Sequence, residues 1–332
     1  MGYYEAVKVR LDPTPKQERL MKSHAGAARF AYNAGLAHVK EALDNSEPAD
    51  WSHYSLLNWW NKSKDTLAVN RDTGEVWWSQ NSKEAYNTAL HGLARGFSNW
   101  SKSRKGQRKG RRVGFPKFKS KNTTMRFAYS TGFTAPTAGD PYGLKLPRIG
   151  RVHCMENVYR LLAGARLIRI TVSRRAGRWY ASLTVEREQS PSPVCTPKGG
   201  AVGVDLGVKN LATLSDGTVI PNPRALGTRL KALRKAQQAL SRKVKGSARR
   251  EKAKVRVAKL HARVADVRAD AIHKITSMIA RNYDTVCIGD LNVAGMVKNH
   301  RLARSLSDAA LGEFRRQLEY KTARSGGRAA CG

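Results

Sequence analysis

The sequence predicts an α+β multidomain chain: a small β-barrel interrupted by a helical insertion, followed by an α/β domain. Three observations carry this. Short strand-like runs between turn residues fill 125–186. An alternating strand at 5–11 precedes a mostly helical stretch at 11–100. Two apolar, β-branched strands, near 201 and near 285, flank long helical segments.

The chain has 332 residues, enough for two or three domains and a sizeable core. A hydrophobic content of 41%, with 7 Trp and 11 Tyr, excludes a basic disordered tail. The formal net charge of +36 points to polyanionic partners, but ribosomal proteins and histones are as basic, so charge gives a partner class and no mechanism. No run of about eighteen apolar residues exists and the N-terminus lacks an apolar signal core. No membrane association is expected; the expected location is cytoplasmic, on the bacterial nucleoid. Met1-Gly2 would suit myristoylation, but Ala6 stands where Ser or Thr is needed. Cys154, Cys195, Cys287 and Cys331 form no Cys-x-x-Cys pair and read as small buried hydrophobes.

Residues 5–11 alternate and read as a strand that joins the later barrel. This makes the barrel 1–10 plus 125–190, with 11–124 inserted. Thr14, Pro15 and Gln17 form a capping-box start to the first helix. Asn81-Ser-Lys-Glu84 is a second capping-box pattern. It leads into Ala85, Tyr86, Ala89, Leu90, Leu93, Phe97 and Trp100, a stripe that reads as core packing. Residues 101–121 hold ten Lys or Arg and no acid. Phe115 and Phe118 sit between the lysines, a mixture that suits stacking and phosphate contact on nucleic acid.

The barrel strands are expected at Arg126–Tyr129, Gly143–Leu146, Gly150–His153, Leu167–Val172 and Trp179–Val185. A Pro/Ser/Gly linker at 191–200 marks the domain boundary. Two or three strands follow in 201–220. A basic helical hairpin spans 224–282, turning near Lys245-Gly246-Ser247. Between Arg224 and Lys259 it carries fourteen Lys or Arg and a single acid, Glu251. Leu226, Leu230, Leu233 and Leu240 form its buried stripe. A strand at 285–289 and a last helix over about 305–324 complete the expected α/β domain, 201–332.

Several stretches, in order, resemble TnpB (also called OrfB), the transposon-encoded ancestor of type V CRISPR effectors. Arg10-Leu-Asp-Pro-Thr-Pro-Lys-Gln17 and Ala28-Arg-Phe-Ala-Tyr-Asn33 resemble the family's opening. Gly114-Phe-Pro-Lys-Phe-Lys119 resembles its Gly-Phe-Pro-x-Phe-Lys signature. Asp205-Leu-Gly-Val-Lys-Asn-Leu-Ala resembles its first RuvC motif. Val267–Lys274, Asp290-Leu-Asn-Val-Ala-Gly-Met296 and Phe314–Lys321 resemble the second motif and its flanking helices. The resemblance implies a wedge-type β-barrel, a helical recognition domain inserted in it and an RuvC-like (RNase H-like) α/β domain. It also implies a guide RNA and a double-stranded DNA target marked by a short adjacent motif, with the rest read by base pairing.

The family's cleavage chemistry rests on two divalent metals held by three acids: an Asp on the first strand, a Glu on a later one and an Asp near the C-terminus. Asp205 matches the first, whereas Gly289 stands where the Glu is expected. Asp290 should face the other side of the strand, and Asp284 lies too far back along it. The third acid should follow a further strand and a zinc ribbon, and the chain is expected to end before both. The expectation is therefore a C-terminally truncated, nuclease-dead RuvC-like domain, with Mg²⁺ and Zn²⁺ sites lost and no cofactor beyond guide RNA. The function expected is guide-directed DNA binding that represses transcription near a promoter. The alternatives are an RNA-guided DNA endonuclease that keeps its activity and a decayed transposon remnant.

RNA contacts are expected from Lys117, Lys119, Arg229, Arg234, Lys235, Arg242, Lys243, Arg249 and Arg250. DNA contacts are expected from Tyr54, Asn58, Gln80, Asn81, Lys83, Arg111 and Arg112. The sequence leaves the oligomeric state open.

Overall fold

A computed structural model describes residues 3–121, 125–188 and 199–331. The chain divides into two compact units, Met1–Glu188 and Gln189–Gly332. Most of the expected linker, with Cys195, lies outside the described residues.

The first unit opens with β1 (Tyr3–Asp12). Its apolar Val7, Val9 and Leu11 turn to the core, while Lys8 and Arg10 turn to the opposite face. Helix α1 (Pro15–Asp44) starts at Thr14, whose hydroxyl accepts from the Gln17 amide while the Gln17 side chain accepts from the Thr14 amide. Helices α2 (His53–Leu67) and α3 (Lys83–Arg104) follow, capped by Ser52 and Ser82. The second cap therefore differs from the expected Asn81 box. With Ser82 as the cap, Glu84 is one position too early to reach back. Its carboxylate instead accepts from the Ser130 and Thr131 amides at 2.8 and 3.3 Å, tying α3 to the sheet.

The three helices share a core of Leu36, Leu56, Trp60, Tyr86, Leu90, Leu93 and Phe97. Each fully buried leucine there contributes about 1.5–3 kcal/mol. A Cβ at Gly35 would lie 3.0 Å from Leu90 and 3.1 Å from Leu93, so glycine sets the close approach of α1 to α3.

The remaining elements are β2 (Arg126–Tyr129), β3 (Gly143–Leu146), β4 (Gly150–Cys154), α4 (Val158–Leu162), β5 (Arg166–Arg175) and β6 (Arg178–Arg187). They form one six-stranded sheet with β1, in the order β2-β5-β6-β1-β4-β3. The first strand thus pairs with the last of the unit, with three helices between β1 and β2 in the chain. The expected barrel is an incompletely closed sheet. Strands β2 and β3 are its edges, and among the described residues an isolated bridge, Thr134–Lys145, carries the chain beyond β2 back toward β3.

The second unit contains β7 (Ala201–Leu206), β8 (Asn210–Leu214), β9 (Val219–Pro221), α5 (Leu230–Ser241), α6 (Ala248–Asn282), β10 (Thr285–Ile288), α7 (Val293–Met296), α8 (Ala303–Ala309), α9 (Leu311–Arg324) and β11 (Arg328–Cys331). Its sheet runs β11-β10-β7-β8-β9, with β10 parallel to both neighbours and β8 antiparallel to both of its own. Val202, Val204, Val286 and Ile288 face a core completed by Ile272, Ile279, Phe314 and Leu318.

Two expectations are corrected here. The last helix is two helices, broken at Ala310, which adopts φ 52° and closes α8 through its amide on Leu306. A further strand, β11, also follows α9, where none was expected. Its approach to β10 requires Gly327, since a Cβ there would lie 2.4 Å from the Asp284 carbonyl oxygen. Among the described residues no helix is long and apolar enough to cross a membrane.

Candidate functional site

Alternation along β7 buries Val202, Val204 and Leu206 and leaves Gly203 and Asp205 on the open side. Strand β10 lies parallel in the register Thr285–Ala201 through Ile288–Val204. One further step places Gly289 beside Asp205, on the same open side as exposed Cys287. Gly289 has no positive φ, and a Cβ added there meets nothing within 4 Å. Neither backbone conformation nor space requires glycine at this position.

The other acids of this segment lie away from Asp205. Asp290 accepts from Arg315 of α9 at 2.5 Å, and α9 packs on the buried side of the sheet through Phe314 and Leu318. Asp284 sits at the opposite end of β10 from Gly289, where its carbonyl accepts the Arg328 amide at 2.7 Å. Asp205 is thus flanked on its open side by Gly203, Cys287 and Gly289, and on the β8 side by its paired neighbour Thr213.

The basic hairpin of α5 and α6 presents Arg229, Arg234, Lys235, Arg242, Lys243 and Arg249 to solvent. Arg250 behaves differently from the expected RNA contact. Its guanidinium donates to the Leu240 and Lys243 carbonyls at 3.0 and 2.8 Å, which closes the end of α5 and fixes the turn. The base of the hairpin is held by Asp308, a residue sequence reading passed over. It is 8% exposed, accepts from the Leu226 and Gly227 amides, and pairs with Arg268 at 2.7 Å. The available signal was that Asp308 is the one acid of α8 and sits beside the apolar Leu306 and Ala309.

In the first unit, the segment expected to stack on nucleic acid is partly core. Phe115 packs edge-on against Phe97 and Trp100, whereas Phe118 is 54% exposed. Asn33 holds Lys119 by both backbone groups, at 2.9 and 3.0 Å. The Lys119 ammonium lies 3.5 Å from the Tyr32 ring centroid. Loss of solvent there, reinforced by Arg126, pushes its pKa down to about 8 although the residue remains open to solvent elsewhere. Lys117, Arg111 and Arg112 are exposed, as are Tyr54, Asn58, Gln80 and Lys83. Asn81 is not: it is 4% exposed, because the chain entering α3 turns it inward beside Tyr86.

Comparison with known proteins places these features. Residues 182–300 match the OrfB_IS605 family, described as "Probable transposase", and residues 1–47 match its "Helix-turn-helix domain". In the structure the latter residues form β1 and one unbroken helix, α1, up to Asp44. A Mycobacterium tuberculosis H37Rv protein named "Putative RNA-guided DNA endonuclease Rv2885c" is 37% identical over 96% of this chain and 74% of its own length. The Escherichia coli K12 protein named "Putative RNA-guided DNA endonuclease InsQ" is 31% identical over 98% of this chain and 80% of its own. A solved structure, "Cryo-EM structure of the Cas12f1-sgRNA-target DNA complex", aligns with TM-score 0.48 and 12% identity over 99% of this chain and 89% of that one. With relatives this similar along almost its whole length, the chain belongs to the OrfB (TnpB) family of IS605-type transposases.

Proposed function

We propose that this chain is an RNA-guided DNA-binding protein that holds its target without cutting it. The observation that carries the reading is that Gly289 follows Ile288, the partner of Val204, and so stands level with Asp205 at the open end of the two strands. A two-metal cleavage site needs several hard oxygen ligands around the ions. Here the neighbours of Asp205 on its open side are two glycines, a thiol and the Thr213 hydroxyl, with no second carboxylate among them. That set does not fit a pair of Mg²⁺ ions, and no chemical step is assigned to them. Guide and target binding draw support from the relatives' names, from the +36 charge and from the exposed cations of α5 and α6. In this reading the second unit is RuvC-like, the first sheet is wedge-like, and occupancy near a promoter blocks transcription.

The second reading is a metal-dependent, guide-directed endonuclease. The relatives' names and the retained Asp205 favour it. Sequencing the RNA that co-purifies from the native locus tests guidance itself. One abundant species, with a constant scaffold and a short segment matching chromosomal DNA, is expected. A heterogeneous mixture of cellular RNA would overturn the proposal.

A further inference from the structure

Beside the helical core of the first unit lies a cleft of about 810 Å³, whose lining includes Asp50, Trp51, His53, His91, Arg95 and Ser98. Two histidines meet there. His53 is the first residue of α2, directly after the Ser52 cap, and His91 lies on α3. The Ser52 hydroxyl accepts the Ser55 amide at 3.1 Å, and the Asp50 carboxylate accepts the Ser52 amide at 2.8 Å. The first turn of α2 is thereby fixed, and His53 with it. Trp51 stacks on Phe97 with ring centroids 5.6 Å apart, which anchors the same segment to α3.

The two imidazoles lie 5.0 Å apart, centroid to centroid, with their planes at 90°. An edge-on ring pair has that spacing. So do two rings that share one metal ion. Such an ion sits about 2.1 Å from each ring nitrogen, hence about 3.2 Å from each centroid, and a tetrahedral angle then sets the centroids about 5.2 Å apart. The nitrogens favour the second case. The Nε2 of His53 is buried with no hydrogen-bond partner, and His91 makes no hydrogen bond among the described residues. Buried polar atoms are ordinarily paired, and an unpaired imidazole nitrogen is a ready metal ligand.

The charges nearby are compatible with a cation. Loss of solvent, with His53, Arg169 and Arg95 close by, holds His91 below the ordinary imidazole pKa, so its neutral, metal-binding form prevails near pH 7. Hydrogen bonds from Ser55 and Ser52 keep Asp50 ionised, and its charge offsets that of Arg95 in the same cleft. An anion is a poorer occupant. The Ser52 and Ser55 amides at the start of α2 already donate to Asp50 and Ser52, so a carboxylate stands where an outside anion would bind.

We propose that His53 and His91 together bind one divalent transition-metal ion of the zinc class, pinning the start of α2 to α3. Nitrogen ligands select such ions over Mg²⁺. Among the described residues no group of three His, Cys, Asp or Glu side chains is gathered for a metal, so water completes the coordination. The site lies in the first unit, apart from the chemistry of Asp205, and does not rest on guide or target binding.

The test uses the untagged full chain, freed of RNA in high salt and of metal with a chelator. Zn²⁺ is titrated by calorimetry, and Cu²⁺ is added for electron paramagnetic resonance. Wild type should bind Zn²⁺ at this site, and His53→Gln and His91→Gln should each weaken it at least about tenfold. The Cu²⁺ spectrum should show splitting from two imidazole nitrogens, reduced to one in His91→Gln. His91 is exposed, so His91→Gln should melt like wild type in chelator. Zn²⁺ affinity in His91→Gln within twofold of wild type would overturn the proposal and leave the two rings as an aromatic contact. So would a loss confined to one of the two variants, or a one-nitrogen Cu²⁺ spectrum in wild type. Should His53→Gln fail to fold, His91→Gln and the nitrogen count decide.

Discussion

Gly289 follows β10 by one residue and lies beside Asp205 in the parallel register, with open space where its side chain would be. The two residues are brought together by the pairing of β7 with β10, although 84 positions separate them in the chain. The Val202, Val204, Val286 and Ile288 packing beneath them fixes that register, because a slip of either strand by one residue would turn its two apolar side chains out of the core.

Gly289→Glu should therefore fold normally. With no positive φ and no close neighbour, the change should alter stability by less than about 0.5 kcal/mol. The added carboxylate faces the same side as Asp205. Manganese titration followed by electron paramagnetic resonance should show tighter ion binding than wild type, and the gain should vanish on further substitution Asp205→Ala.

Asp308 is a single point of failure for the basic hairpin. Asp308→Ala leaves Arg268 partly buried and uncompensated and strips the Leu226 and Gly227 amides of their acceptor. A loss of about 3 kcal/mol is expected in urea denaturation of the second unit. Arg250→Gln, which frees two carbonyls at the end of α5, should cost about 1 kcal/mol.

Phe115 and Phe118 should separate cleanly. Phe115→Ala removes an aromatic that packs on Phe97 and Trp100 and should lower stability by about 2–3 kcal/mol. Phe118→Ala should leave the unfolding midpoint unchanged and, if this ring stacks on nucleic acid, weaken single-stranded RNA binding by about 1 kcal/mol.

Unit 1 should lose stability in mild acid through His24. This ring is fully buried. Its Nδ1–H donates to the Leu20 carbonyl at 2.8 Å, and its Nε2 accepts from the Ser82 amide at 3.1 Å, so it is held neutral. Burial lowers its pKa below the ordinary 6.5. With the folded value below the unfolded one, the stability it contributes is complete above about pH 6.5 and falls as pH drops toward the folded value. For this single group the slope is at most about 1.4 kcal/mol per pH unit. Urea melts between pH 7.5 and 5 should show this decline, and His24→Leu should flatten it.

Much of the fold was legible because its signals are local. The Thr14 cap, the 285–288 strand and the hairpin turn near Gly246 each depend on a few adjacent residues. Asn81 was misplaced because Ser82, one residue on, is an equally good cap and only tertiary contact with Ser130 decides the role of Glu84. Ala310 interrupts the last helix with a residue that favours helices, so propensity gave no warning. At the candidate site, Gly289 was visible from its motif alone. The assignments of Arg250 and Lys119 were not, since a lysine or arginine in a basic tract looks the same whether it faces solvent or closes on a carbonyl or a ring.

The most direct test is to load the purified chain with its own co-purified RNA and add Mg²⁺ and a supercoiled plasmid. The plasmid carries a sequence matched to the guide segment, flanked by randomised positions to supply the adjacent motif. The expected result is a stable complex on the matched plasmid that leaves the DNA supercoiled, in wild type and Asp205→Ala alike. Nicked or linear plasmid from wild type, absent with Asp205→Ala, would contradict the reading and show that Asp205 still works with acids from elsewhere.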